Sequence, residues 1–283
     1  SIKISVIGEI NAPGTYTLTS GSAITVKNKL RFGGTGGLTL NGGSIAAEGD
    51  VEIAAPGMAD GSTLLKISGN TDQYLYSTIP MTGQGLPAVE INKTSGTTLY
   101  LGRAAAPSEP VRFGNHFTLV PGSNFNATDF SSTAIFNGSN TIISGNPVFH
   151  KLSLAPTTYT ILPLLPADVV AVENELRLFS TGPLALNSGT IEARGDIFIL
   201  GPSLADGNGT LKINGAGNQN LQGIISPYIQ VGLPKTIIDK LSGTLSVFNT
   251  ISFGNDLIYE RGIVDFGTAN LQFRFGSGAT PTI

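Results

Sequence analysis

The chain has 283 residues, 40% of them apolar, and a formal net charge of −3; that suffices for a sizeable core, while its sixteen scattered Lys and Arg leave no basic footprint for nucleic acid or anionic lipid. Only 12% of residues are charged, 37 are glycine, 16 are proline and none is cysteine, so disulfides and thiolate metal sites are excluded and stability must come from burial and backbone pairing. The most apolar stretch, Ile161 to Val172, is interrupted by Pro163, Pro166 and Asp168, so no membrane span is expected.

In chain order, Ser1 in place of Met fits a mature product after removal of a secretion signal and predicts an extracellular or cell-surface location. Ile2, Ile4 and Val6 then alternate with polar residues, as in a strand with one apolar face. The stretch Val6-Ile7-Gly8-Glu9-Ile10-Asn11-Ala12-Pro13-Gly14-Thr15-Tyr16 is similar to the opening strands of the soluble ligand-binding β-grasp domain of polysaccharide-export proteins. That family continues with a helix, whereas Ile24 to Phe32 alternates like a strand and belongs to an internal repeat.

That repeat dominates the remainder. Ile24 to Leu75 matches Val170 to Leu221 without a gap at an offset of 146, with about half the positions identical. Asn28, Leu30 and Arg31 recur as Asn174, Leu176 and Arg177, and Gly49 and Asp50 recur as Gly195 and Asp196. Leu65, Lys66, Ile67, Gly69 and Gln73 recur as Leu211, Lys212, Ile213, Gly215 and Gln219; after a one-residue slip, Lys93-x-Ser95-Gly96-Thr97 recurs as Lys240-x-Ser242-Gly243-Thr244. Alternation in pairs such as Leu38 and Leu40 or Val51 and Ile53, with Gly or Asn after nearly every pair, predicts short strands and sharp corners. A looser middle copy carries Thr133, Ile135, Asn137-Gly138 and Ile143.

The expected fold is all-β, a β-solenoid or parallel β-helix of about a dozen coils of roughly 20 to 25 residues, about 55 to 60 Å long at one strand spacing per coil. The alternative is a tandem pair of β-sandwich domains of about 140 residues each. The divisions are an N-terminal strand segment over 1–23, a first β unit over 24–169 and a second over 170–283. The Gly-Asp-Val and Gly-Thr-Leu-Lys-Ile-Asn-Gly segments, with Leu-Pro and Lys-x-Ser-Gly-Thr, resemble the repeats of secreted bacterial surface proteins with parallel β-helix or related all-β repeats. That resemblance implies display, adhesion or assembly outside the cell.

Groups for chemistry are sparse. His116 and His150 are the only histidines, and the counterpart of His116 is Asp256, so the repeat does not keep an imidazole. Asp50 and Asp196, each after Gly, are expected to accept turn amides. Asp206-Gly207-Asn208-Gly209-Thr210 lacks the closing Glu of a calcium loop and reads as a β-turn; Arg194-Gly195-Asp196 spells an adhesion tripeptide whose repeat partner is Glu48-Gly49-Asp50, again turn chemistry. The sequons at Asn92, Asn126, Asn137 and Asn208 are compatible with secretion. No catalytic, cofactor or metal residue is therefore assigned.

The expected function is an extracellular building block, a filament, sheath or surface-layer subunit or an adhesin repeat section. Its partners are expected to be copies of itself joined head to tail, with surface glycans as a second class. Assembly is assigned to the terminal strands through Ile2, Ile4, Val6, Leu271, Phe273 and Phe275, with Ser1 to Ile10 adding to a neighbour's sheet edge. A carbohydrate-binding or carbohydrate-cleaving β-helix is the alternative, and a shallow face carrying Tyr74, Tyr76, Tyr100 or Tyr228 beside acids would mark it.

Overall fold

Alternating apolar residues make strands whose inner side chains need a shared interior, and the Gly and Asn corners set how soon each strand turns. The computed structural model describes all residues except 1, 5–6, 105–108, 139–140, 157–159, 164–165, 180–183, 202–203, 206, 224–231 and 274–283. Among the described residues there is no helix, and the strands wind into stacked parallel coils, a β-solenoid of about eleven turns. Pairing decides against tandem sandwiches: among the described residues the strands of both units pair in parallel, whereas a sandwich is built from antiparallel sheets. The chain divides into two compact units, Ser1–Phe149 and His150–Ile283.

In the first unit one face stacks Ile2–Ile4, Ala23–Val26, Ser44–Ala47, Leu64–Ile67, Ala88–Ile91, Phe117–Leu119 and Ile143–Ser144. A second face stacks Ile7–Thr17, Lys29–Asn41, Asp50–Ile53, Gln73–Ser77, Thr98–Leu101 and Asn124–Asn126. A third carries Gly57–Ala59 on the latter half of Lys29–Asn41, and Val111–Phe113 on Thr133–Phe136. Inner residues lie in register from coil to coil: Ile45, Leu65, Val89, Phe117 and Ile143 form one buried column. Each such side chain contributes roughly 1.5–3 kcal/mol of burial. The wider coils at the end of this unit are filled by phenylalanines, Phe113 stacked on Phe136 at 4.8 Å and Phe117 edge-on to both.

The second unit repeats this winding. Val169–Leu178 runs across two faces, its first half pairing with Thr190–Ala193 and its second with Asp196–Ile199. Thr210–Ile213 and Gln219–Gln222 follow, then Lys235–Phe248, which again spans both faces, and Leu257–Asp265. Thr160–Pro163, Leu184–Ser188 and Leu204–Ala205 stack on the third face, as do Thr250–Phe253 and Asn270–Phe273. The column Ile24, Ile45, Leu65, Val89 corresponds to Val170, Ile191, Leu211, Thr236, so the one-residue slip in the sequence is one residue added to a single coil.

The N-terminal strand is engaged within its own chain: Ile2–Ile4 pairs with Ala23–Val26 and Ile7–Thr17 with Lys29–Asn41. The helix that a β-grasp domain would place after these strands is absent, and Ala23–Val26 is a strand.

Candidate functional site

The repeat landmarks converge at the corner between the first two faces. Gly49 lies where an added Cβ would fall 1.1 Å from the Asn28 carbonyl oxygen of the preceding coil, and Gly195 where it would fall 2.0 Å from that of Asn174. Only glycine lets the coils approach this closely. The next residue bonds upward: Asp50 Oδ1 accepts the backbone N–H of Tyr74 at 3.0 Å, and Asp196 Oδ1 that of Asn220 at 2.8 Å. The aspartates thus accept amides, as their position after glycine suggests, but amides of the next coil instead of their own turn.

Inside this corner sits a lysine. Lys93 is 4% exposed, and its ammonium donates to Gly69 O at 2.8 Å, Thr71 O at 2.6 Å and Gln73 Oε1 at 2.5 Å. Gln73 in turn accepts the Gly69 N–H at 2.8 Å and donates to the carbonyls of Ala47, at 3.2 Å, and Gly49. The second unit repeats the assembly: Lys240, 1% exposed, donates to Gly215 O, Gly217 O and Gln219 Oε1 at 2.8, 2.8 and 2.7 Å, and Gln219 reaches Ala193 O and Gly195 O. All three ammonium N–H groups are used, so a buried charge is tolerated and three successive coils are tied together.

Burial pushes Lys93 down to about 8, against the pull of Asp72 and Asp50, and it lowers Lys240 as well. A lysine whose folded value lies below the unfolded 10.5 costs stability while both states are protonated. As pH rises from about 8 towards 10.5 the folded chain releases its proton first, and unfolding becomes harder. Denaturant unfolding at a series of pH values should therefore show a wild-type stability gain across this window relative to Lys93→Gln. A flat or falling difference would refute the assignment.

The outward side of the second face differs between the units. In the first it is filled by a network: Arg31 bridges Glu9 and Glu52, Lys29 and the Tyr76 hydroxyl also reach Glu52, and Arg103 donates to the Tyr76 hydroxyl at 3.1 Å. Burial alone would raise the Glu52 carboxyl, but Lys29, Tyr76 and Arg31 hold it below its ordinary value. Tyr74 and Tyr100 stack at 5.4 Å, with Phe130 against both rings and the Arg103 guanidinium over Tyr74. The structure thus brings Tyr74, Tyr76 and Tyr100 onto one face beside acids, with the Tyr74 and Tyr100 rings packed on one another and the Tyr76 hydroxyl bonded to Glu52. Tyr228 lies outside the described residues.

In the second unit the equivalents of Lys29, Glu52, Tyr74, Tyr76, Gly102 and Arg103 are Glu175, Phe198, Asn220, Gln222, Phe248 and Asn249. Of the network an Arg177–Glu175 pair remains, with the Arg177 guanidinium over the Phe198 ring, and beside it a shallow cleft of about 370 Å³ opens, lined by Asn220, Gln222, Phe248 and Asn249.

The chain matches no protein-family model, no curated protein and no solved structure.

Of the residues assigned to assembly, Ile2 and Ile4 lie in the first strand, Leu271 pairs with Ile251 and Phe273 with Phe253 in the last described one, and Val6 and Phe275 lie outside the described residues. His116 is half-buried and its Nδ1 accepts the Ile142 N–H at 3.1 Å, a backbone role, while burial beside Lys151 lowers His150. Arg194 is held by Glu173 at 2.6 Å and Glu192 at 2.7 Å, so Arg194-Gly195-Asp196 is engaged in its own coils. Asp206 lies outside the described residues. In the sequence Gln73, Lys93 and their copies stand out only as repeat landmarks, and survival through duplication does not single Lys93 out, since the outward Lys66 recurs as Lys212 too.

Proposed function

We propose that this chain is an extracellular structural solenoid, a unit of a filament, sheath, surface layer or adhesin stalk, joined to copies of itself through its terminal coils. The observation that carries this reading is the last described coil. Its strands Leu257–Asp265 and Asn270–Phe273 pair on one side only among the described residues, and Tyr259, Ile263 and Phe273 are exposed on it. Phe253 is 2% exposed, while Phe273, stacked on it at 5.5 Å, is 43% exposed, so no further coil among the described residues covers the inner column here.

Ile2–Ile4 and Ile7–Thr17, each paired on one side among the described residues, supply a parallel edge with the matching succession of faces. Head-to-tail addition of the first coil of one copy to the last coil of another continues the winding, and such a heterologous contact does not close on itself unless the rotation allows. The corner lysines support the same reading, because they couple three coils at a time and stiffen the winding without any exposed chemistry. Sedimentation velocity over a concentration series tests it: the native chain should form species that grow with concentration, and Ile263→Lys with Phe273→Lys should leave a folded monomer. Equal association by that variant would overturn the assignment of the C-terminal coil.

A further inference from the structure

We propose that the cleft on the second unit binds a neutral oligosaccharide. Both units share the corner and the inner columns, so the outward face at matching positions is where they have diverged. The first unit fills it with an ion-pair network around Glu52 and packed tyrosine rings; the second puts carboxamides at the places of Tyr74, Tyr76 and Arg103, and leaves Phe248 48% exposed. The cleft lies within the usual size of small-ligand sites, about 300–1,000 Å³.

The lining selects the ligand. The Gln222 carboxamide has no hydrogen-bond partner among the described residues, so two donors and an acceptor are available. Asn249 donates Nδ2 to Gly223 O at 3.2 Å, which leaves Oδ1 as an acceptor, and its backbone turns through φ 62° at the corner directly after Phe248. Asn220 gives its backbone N–H and, at 3.3 Å, its Nδ2 to Asp196, which engages the nearby carboxylate. What remains is a set of uncharged donors and acceptors beside an exposed aromatic ring. Sugar hydroxyls pair with carboxamides of this kind, and the apolar face of a pyranose packs on a phenyl ring.

An ionic ligand would find no complementary charge among the four lining residues. A peptide could not add as a strand, because Gln219–Gln222 is paired on both sides, with Asp196–Ile199 and with the latter half of Lys235–Phe248. The inference is independent of end-to-end assembly, since the cleft lies on a strand face within one chain.

Calorimetric titration of the full chain with neutral hexose and N-acetylhexosamine oligomers, an oligogalacturonate and an uncharged peptide tests it. A neutral oligomer should bind with an affinity unchanged by added salt. Gln222→Ala and Phe248→Ala should each weaken it by about tenfold or more without shifting the thermal midpoint, as expected for outward residues at a site centre. Tyr100→Ser, on the filled face of the first unit, should leave binding unchanged. The proposal fails if no neutral oligomer binds, if the oligogalacturonate or the peptide binds more tightly, or if both cleft substitutions leave the affinity intact. Binding by the Ile263→Lys, Phe273→Lys monomer would sustain it even where assembly is lost.

Discussion

Replacing Lys93 with methionine should cost roughly 2–4 kcal/mol of folding stability, and the same change at Lys240 a similar amount. Methionine fills much of the space of the lysine stem but donates nothing. Gly69 O, Thr71 O and Gln73 Oε1 then lose a donor inside the corner, and Gln73, which reaches back to Ala47 and Gly49, loses the partner that orients it. Relief of the burial cost that depresses the lysine returns part of this, which keeps the loss below the sum of three abandoned acceptors. The two locks share no partner, so the double variant should show the sum of the single effects. Denaturant midpoints of the singles and the double measure this. Unchanged midpoints would mean that water replaces the ammonium without penalty and that the corner is not a lock.

Gly49→Ala and Gly195→Ala should be at least as damaging, about 4 kcal/mol or more each. The new methyl would meet a backbone carbonyl of the preceding coil, at 1.1 Å from Asn28 O or 2.0 Å from Asn174 O, and a carbonyl held in a stacked coil cannot swing aside as a side chain can. The coils would have to part at the corner that Gln73 or Gln219 spans. Gly37→Ala is the control: nothing lies within 4 Å of the point its methyl would occupy and its φ is not in the left-handed region, so alanine there should be neutral or stabilising by up to about 0.5 kcal/mol. Comparable losses at Gly37 and Gly49 in thermal or chemical unfolding would remove the close-approach explanation.

The solenoid was legible because its cause is local. Alternation at Val51 and Ile53 or Leu65 and Ile67 sets strand faces, Gly-Asp corners set where strands turn, and duplication at a constant offset sets matching coil lengths, all within a window of the sequence. The first strand was legible as a strand but not in its pairing, because its partner lies about a coil away and an alternating pattern does not say which edge is taken. The same distance hid the corner lock. Lys93 meets acceptors 20 to 24 residues upstream, and lysine in an unfamiliar sequence is read as solvent-facing unless something else holds it in place. The cleft was less legible still. Asn220, Gln222 and Phe248 are ordinary strand residues singly, and they become a site only because successive coils bring them onto one outward face from which the bulk of Tyr74, Tyr76 and Arg103 has been removed.

Joining of copies of this chain through terminal coils is tested most directly by electron microscopy of the purified native chain over a range of concentrations. End-to-end addition predicts unbranched filaments that lengthen with concentration and are absent from the Ile263→Lys, Phe273→Lys variant. Uniform single particles of the native chain at every concentration would contradict it.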